Sequence, residues 1–376
     1  MPDRHVAIVG AGIVGLAHAW AAAKRGYQVT VFDRHARTQM ATVRNFGMIW
    51  PIGQPSGVAY RIAMESRALW VELAREAGVW LLPCGSIHLA HRPDEQQVLE
   101  EFCTSAEGKL RHVRWLTREA VIAQTPAANP DGLLGGMFSP SELCVNPRQA
   151  PAQIAAYLAN KFNVQFQWST TIRGVEGASL HTTDGRRRNV DHTIVCSGSD
   201  LQTLFPELLA GSGLKRCKLQ MLKTISQPGG WRIGPHLASG LTLRHYQSFS
   251  ICPSLAALRE RIATDTPELE QYGIHVMASQ NDADEVVLGD SHEYDDAITP
   301  FGNSRIDDLI LRELRKILRL PDWTIAERWD GEYAKHPTQP CFIAQPQEQV
   351  TVFTGLGGAG MTMSLGLAED YWRRRE

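Results

Sequence analysis

The stretch HVAIVGAGIVGLAHAWAAAKRGYQVTVFD, residues 5–33, reads as strand, glycine turn, helix and second strand. His5 to Val9 is a short apolar strand. It runs into Gly10-x-Gly12-x-x-Gly15, then into an alanine-rich helix ending near Gly26. Gln28 to Phe32 is the next strand, and it closes a βαβ unit on Asp33. Gly10 permits the tight turn, Gly12 lets backbone N–H groups approach a pyrophosphate, and Gly15 allows close helix–strand packing. The helix N-terminus adds partial positive charge toward the phosphates. Asp33 stands where a carboxylate can accept both ribose hydroxyls. The whole unit predicts dinucleotide binding, but it does not separate FAD from NAD. A secretory leader would also show an apolar run after Arg4 and His5. Three glycines inside that run and the strand right after it favour the βαβ reading.

The rest of the composition narrows the class. The chain has 376 residues, 43% hydrophobic and 21% charged, with a formal net charge of -2. That is long enough for two or three domains. It excludes a strongly basic nucleic-acid binder and an acidic disordered chain. Seven scattered cysteines offer no C-x-x-C pair, so reduced thiols in a cytoplasmic protein are expected. The histidines show no H-x-x-x-H spacing, so no metal site is expected. No other apolar stretch approaches 18 residues, so no membrane span is expected.

Further along, Val58, Ile62, Leu69 and Leu73 share a helical face that Gly78 ends. Ser86 to Ala90 reads as a strand and Asp94 to Ala106 as a surface helix. Short strands follow at Val164–Trp168, Ser179–Thr183 and His192–Cys196. Asp184-Gly185 signals a hairpin, and Arg186-Arg187-Arg188 reads as its solvated arm. Leu219 to Leu288 looks strand-rich, with Leu241 and Leu243 alternating and Phe249 and Ile251 continuing the run. Ile306, Ile310, Leu314 and Ile317 mark an amphipathic helix that Pro321 stops.

Three more segments bear on chemistry. Arg44 to Pro51 can contact a phosphate or an acidic substrate through Arg44, with Asn45 and Gly47 presenting donors, or it is only an irregular connection. His192 to Gly198 is a strand ending in the small residues Ser197 and Gly198, which lets a cofactor pass the sheet edge. Gly355-Leu356-Gly357-Gly358-Ala359-Gly360-Met361-Thr362 precedes the last helix and forms a second anion-attracting site. NAD needs one such site. A dinucleotide with a reducible ring needs a second, because charge develops on that ring. FAD is therefore the expected cofactor.

The chain resembles the flavin-dependent amine-oxidising family of glycine oxidase, D-amino-acid oxidase and sarcosine oxidase. The likeness rests on VAIVGAGIVGLAHAWAAAKRGYQVTVFDR, RNFGMIWP, VCSG, VVLGDSHEYDD, ERWDGEYAKHP and TGLGGAGMTMSLGLAE, in that order. It implies an α/β protein, α+β overall: a Rossmann-like FAD-binding domain with an inserted antiparallel-sheet substrate domain. The expected division is 1–82, 140–215 and 325–376 for FAD, and 83–139 and 216–324 for substrate. The resemblance places the diphosphate on Gly10, Gly12 and Gly15, and the ribose on Asp33 with Arg34 beside it. It places adenine at Ile172 and the flavin pyrimidine end at Gly357, Gly358, Gly360, Met361 and Thr362. Arg44, Asn45, Gly47, Ser197 and Gly198 complete the expected cofactor contacts. No cysteine stands where sarcosine oxidase attaches its flavin, so non-covalent FAD is implied.

One departure matters. Where glycine and D-amino-acid oxidases place a carboxylate-gripping arginine after Trp-x-Gly, this chain has Trp329-Asp330-Gly331-Glu332-Tyr333. The segments RNFGMIWP and GDSHEYDD look most like a subgroup associated with bacterial phosphonate catabolism. A phosphonate suits several dispersed donors, and Arg44, His245, His292, Lys335 and His336 are candidates. Lys335 and His336 are equally readable as surface residues. The implied reaction is oxidation of a C–N bond, a hydride passing from the carbon α to nitrogen to flavin N5. Oxygen or another acceptor then regenerates FAD. Tyr246, His292 or Tyr333 would orient the amine. The expected substrate is a small anionic amine, an amino- or N-methylaminophosphonate among them. The alternatives are glycine, sarcosine or a D-amino acid as substrate, and a non-catalytic flavin-binding subunit. The oligomeric state is not defined by the sequence.

Overall fold

The computed structural model describes residues 5–375. Arg4 and the first residues of the expected N-terminal segment lie outside them. The apolar run VAIV is buried because it sits in the middle of a parallel sheet, covered on both faces. Val6 and Ile8 stand opposite His192 and Ile194 on one side and Val29 and Val31 on the other. The six-stranded order is Phe342–Gln347, Val350–Thr354, His192–Val195, His5–Val9, Gln28–Phe32, Gln165–Gln167. Only the outermost pair, Phe342–Gln347 with Val350–Thr354, is antiparallel.

Small residues bring the helices close. Helix Ile13–Lys24 buries most of its alanines. Helix Gly360–Arg373 packs against it and against Val58–Ala77. A Cβ on Gly366 would lie 2.3 Å from the Ile62 carbonyl oxygen, so glycine is required at that crossing. Trp70 Nε1 donates to the Met361 carbonyl at 2.7 Å, tying the last helix's first turn in place.

A second, nine-stranded sheet carries the other core. Its strands are antiparallel except where His236–Ala238 runs parallel to Ser86–Ala90. Segments 86–90, 114–117 and 135–139 supply one half, and strands from Lys215 to Asp295 supply the other. The long strand Lys215–Ser226 takes Ile325–Lys335 along one side. Ile325–Lys335 was expected with the FAD-binding segment, but its pairing places it in this sheet. At its end, Lys335 bridges Leu356, and His336 N donates to Gly355 O at 3.2 Å. This strand thus delivers the chain from one sheet to the other.

The stretch around Leu241 and Leu243 differs from its alternating pattern. It forms turns of 3-10 helix, Gly240–Arg244 and Gln247–Ile251, not strands. Thr242 explains the winding: its amide and its Oγ1 both donate back to Ser239 O, at 3.1 and 2.7 Å. Gly240 also sits where a Cβ would meet the Glu95 carboxyl at 2.1 Å. The arginine triple flanks the hairpin as a solvated arm, Arg186 pairing with Asp184. All seven cysteines are free thiols. No helix among the described residues is long and apolar enough to cross a membrane.

A buried carboxyl holds the loop leading from the first segment into the second sheet. Glu142 is fully buried, and burial pushes its carboxyl above the usual range. Its Oε1 accepts from Ile52 N at 3.1 Å and from Ser141 Oγ at 2.6 Å, and its Oε2 accepts from Ser86 Oγ at 3.0 Å. Replacing Glu142 by Ala strands three buried donors. We expect a loss of about 2–4 kcal/mol in urea unfolding with an unchanged slope. Glu142→Gln should lose less, because its carbonyl still accepts.

Candidate active site

One cavity of about 720 Å³ lies between the two sheets. Its glycine wall is built by two helix starts. Gly12, Ile13, Val14 and Gly15 open the first helix into it, and Gly357 to Thr362 open the last. Gly10 lies behind this wall. Its φ is +107°, and a Cβ there would lie 2.3 Å from Cys196 O. A Cβ on Gly15 would lie 1.8 Å from Gly10 O. The turn therefore exists only with glycine at both places, and it leaves Gly12 on the cavity wall, where a Cβ would crowd Thr42 Oγ1 at 3.1 Å. Ile13 N donates to Thr42 Oγ1 at 3.0 Å, and Trp50 N donates to Thr362 Oγ1 at 2.9 Å.

The expected cofactor residues divide into two groups. Gly12, Gly15, Arg44, Asn45, Gly198, Gly357, Gly358, Gly360, Met361 and Thr362 line the cavity. Gly10, Asp33, Arg34, Gly47, Ile172 and Ser197 do not. Asp33 clamps the glycine loop, its oxygens accepting from Ala11 N and His35 N, both at 2.8 Å. Arg34 pairs with Asp200. Gly47 has φ +74°, and a Cβ there would lie 2.1 Å from Val145 O, so it serves loop packing. Asn45 shapes the same loop, donating to Ala41 and Thr42 carbonyls and accepting from Gly47 N. Ile172 is buried in a small separate sheet, paired with Thr182. Ser197 Oγ is buried with no hydrogen-bond partner among the described residues.

The opposite wall carries the expected substrate residues. His245, Tyr246, His292, Tyr333, Lys335 and His336 all line the cavity. Tyr333 faces the glycine wall: a Cβ on Gly358 would lie 3.9 Å from its ring. Burial raises its phenol well above the ordinary range. Tyr246 donates to Met277 Sδ at 3.4 Å. Lys335 rests its stem beside Gly357 and its Nζ 3.3 Å from Tyr294 Oη, and burial lowers its pKa. His336 Nδ1 accepts from Gln339 N at 3.0 Å, so that ring also caps a turn. Arg44 donates to Asp330 O at 3.2 Å.

Two residues that the sequence reading did not name as site residues complete this wall: His275 and Asp290. The ladder along Lys215–Ser226 breaks between Gly289 and Glu293, and Asp290 to His292 bulge out of it. Asp290 and His275 exchange backbone hydrogen bonds of 2.9 and 3.2 Å. The rings of His245, His275 and His292 pack with centroids 4.0 to 4.8 Å apart. Burial lowers all three imidazole pKa values, that of His292 to about 3, and raises the Asp290 carboxyl. The sequence signal was weak, because His275 stands in no motif and Asp290 was only one letter of GDSHEYDD.

Two sheets, a glycine-walled cavity between them and a second polar wall define a dinucleotide-dependent oxidoreductase. Residues 5–371 match the DAO family of FAD dependent oxidoreductases, and the chain belongs to that family. It is 26% identical over 204 residues to the glycine oxidase of Geobacillus kaustophilus (strain HTA426), covering 52% of this chain and 54% of that one. The alignments to the first curated relatives span 31% to 60% of their lengths. Among solved structures, glycine oxidase from Bacillus cereus ATCC 14579 superposes with a TM-score of 0.78 at 14% identity, covering 99% and 96% of the two chains. Glycine oxidase from Geobacillus kaustophilus gives 0.75 at 17%, covering 99% and 95%. The residues present fit FAD: Gly12 and Gly15 line the cavity with no side chain, and a second glycine-rich helix start, Gly357 to Thr362, opens into the same cavity.

Proposed function

We propose that this chain oxidises the C–N bond of a small anionic amine, with an amino- or N-methylaminophosphonate as the substrate class. Bound non-covalently, FAD would supply the two-electron oxidation to an imine, whose hydrolysis releases an aldehyde or keto product and amine, with oxygen or another acceptor taking the electrons. Gly12, Gly15 and the 357–362 loop would hold the cofactor, with Asp33 fixing the first loop's shape. Tyr333 and Tyr246 would orient the amine against it.

One observation carries the anionic substrate. Arg44 and Lys335 both face the cavity, and neither pairs with a carboxylate among the described residues. Two uncompensated cations in a partly buried cavity favour an anion there. No arginine occupies the position of Tyr333, so a single bidentate fork is not the grip. Oxidation of glycine, sarcosine or a D-amino acid is the second reading, favoured by the glycine oxidase relatives.

An anaerobic screen of amino acids, N-methyl amines and aminophosphonates separates the readings by bleaching of the flavin absorbance. Bleaching by glycine or sarcosine but not by N-methylaminoethylphosphonate would overturn the phosphonate reading. Bleaching by no amine would leave the non-catalytic subunit. Lys335→Met should raise KM for the anionic amine roughly 10- to 100-fold, the worth of one charge-assisted hydrogen bond. An uncharged amine should show no such change, and an equal rise for both would remove Lys335 from anion binding.

A further inference from the structure

The wall of imidazoles has more ligand atoms than partners for them. His245, His275 and His292 place one ring nitrogen each within 4.8 Å of one another, and all three line the cavity. His275 is 2% exposed, yet neither of its nitrogens has a hydrogen-bond partner among the described residues. The same holds for Asp290 Oδ1, which lies 3.4 Å from His275 Nε2. Buried polar groups left in that state cost about 1–3 kcal/mol each, and three such atoms side by side call for a missing partner.

The tautomer of His292 points the same way. Its Nδ1 lies 3.3 Å from Gly273 O, and a carbonyl can only accept. The proton therefore sits on Nδ1, and Nε2 carries its lone pair toward Asp290 Oδ2 at 3.9 Å. A backbone carbonyl that fixes the far nitrogen is how proteins orient metal-binding histidines. A cation between Asp290 and the histidines would take up the lone pairs that find no donor there.

We propose that His245, His275, His292 and Asp290 form a divalent transition-metal site, of the borderline-soft kind that zinc represents, open toward the cavity. Zinc–nitrogen bonds of about 2.0–2.1 Å set tetrahedral ligand atoms about 3.3 Å apart, so the widest pair closes by about 1.5 Å. Three neutral imidazoles and one carboxylate leave a dication with one net positive charge. An oxygen of the substrate's anionic group, beside Lys335, would enter as a fifth ligand from the cavity side. That role rests on the amine-oxidation reading, whereas the metal site itself does not.

The experiment uses the flavin-loaded protein, stripped with EDTA and dialysed into metal-free buffer. Zinc is added back, its binding followed by calorimetry and its content by elemental analysis. About one zinc per chain is expected, with affinity reduced at least 100-fold in His275→Ala. His112→Ala, on an exposed histidine, should bind as the wild type does. If His275→Ala fails to fold, Asp290→Asn and His245→Gln are read instead, and each should weaken zinc at least tenfold with unchanged flavin content. A wild type that takes up no zinc when it is added back, or variants that bind it equally well, overturns the site. Stoichiometric zinc with no amine able to bleach the flavin keeps the site and removes the substrate reading. Zinc that lowers KM for the anionic amine at constant kcat supports both, and an unmoved KM removes only the anion-gripping role.

Discussion

Gly15→Ala should purify as a colourless protein. A Cβ at residue 15 would lie 1.8 Å from Gly10 O, 3.0 Å from Gly10 C and 3.2 Å from Ile8 Cγ2. Two of these atoms are backbone, so no side chain can swing aside. Either the helix start retreats or the Gly10 turn moves. Gly10 cannot yield cheaply, since it holds φ +107° with Cys196 O behind it. Overpacking of this severity costs about 3 kcal/mol. The same displacement moves the N–H groups that face the cavity, so flavin is lost together with stability. Gly26→Ala is the control. Gly26 also has a left-handed backbone, φ +79°, but nothing lies within 4 Å of its Cβ position. It should cost about 1 kcal/mol and stay yellow. Absorbance after purification and urea midpoints check both. A Gly15→Ala protein with the wild-type flavin content would show that the loop does not hold the cofactor.

That first unit was legible because everything it needs is local. Strand, turn, helix and acid lie within residues 5–33, and short-range sterics decide them. The last helix and its glycine loop were legible for the same reason. Tyr333 and Lys335, two apart on one strand, could be read as sharing a face. What could not be read was which distant strand that face meets. His275 and Asp290 join through backbone bonds between separate strands, and neither has a local signature. Their meeting in the wall is thus a product of topology. Leu241 and Leu243 failed differently. Their alternation was real burial, but the Ser239–Thr242 turn won over strand pairing. Asp33 was read for ribose hydroxyls, and in the structure its carboxylate, at the end of that strand, also reaches Ala11 N.

Arg111→Ala should be the most damaging change outside the glycine loops. Arg111 is 1% exposed and follows the short helix Ala106–Leu110. Its guanidinium donates to Ile52 O at 3.1 Å, Gln54 O at 3.0 Å and Ser56 Oγ at 3.2 Å. It also lies 4.0 Å over the Tyr60 ring. Gly53 to Ser56 line the cavity, so this one side chain sets the shape of its rim. Truncation leaves two buried carbonyls without donors and a void beside Tyr60, a loss of about 3–5 kcal/mol in urea unfolding. Arg111→Lys should recover only part of the loss, since one ammonium can replace Nη1 at the Ile52 and Gln54 carbonyls but not also Nη2 at Ser56 Oγ or the flat guanidinium over Tyr60. KM for the amine should rise about tenfold in protein that still folds, with kcat less affected, because the rim is displaced and the reacting wall is not. The effect should also couple to Glu142. That carboxyl takes the amide of Ile52 while Arg111 takes its carbonyl, so one residue is held from both sides. Once either grip is gone, the turn Pro51–Gly53 loosens and the other has less to hold. The double variant Arg111→Ala, Glu142→Ala should therefore lose less stability than the two single losses added together. Strict additivity would mean that the two grips act on the loop independently.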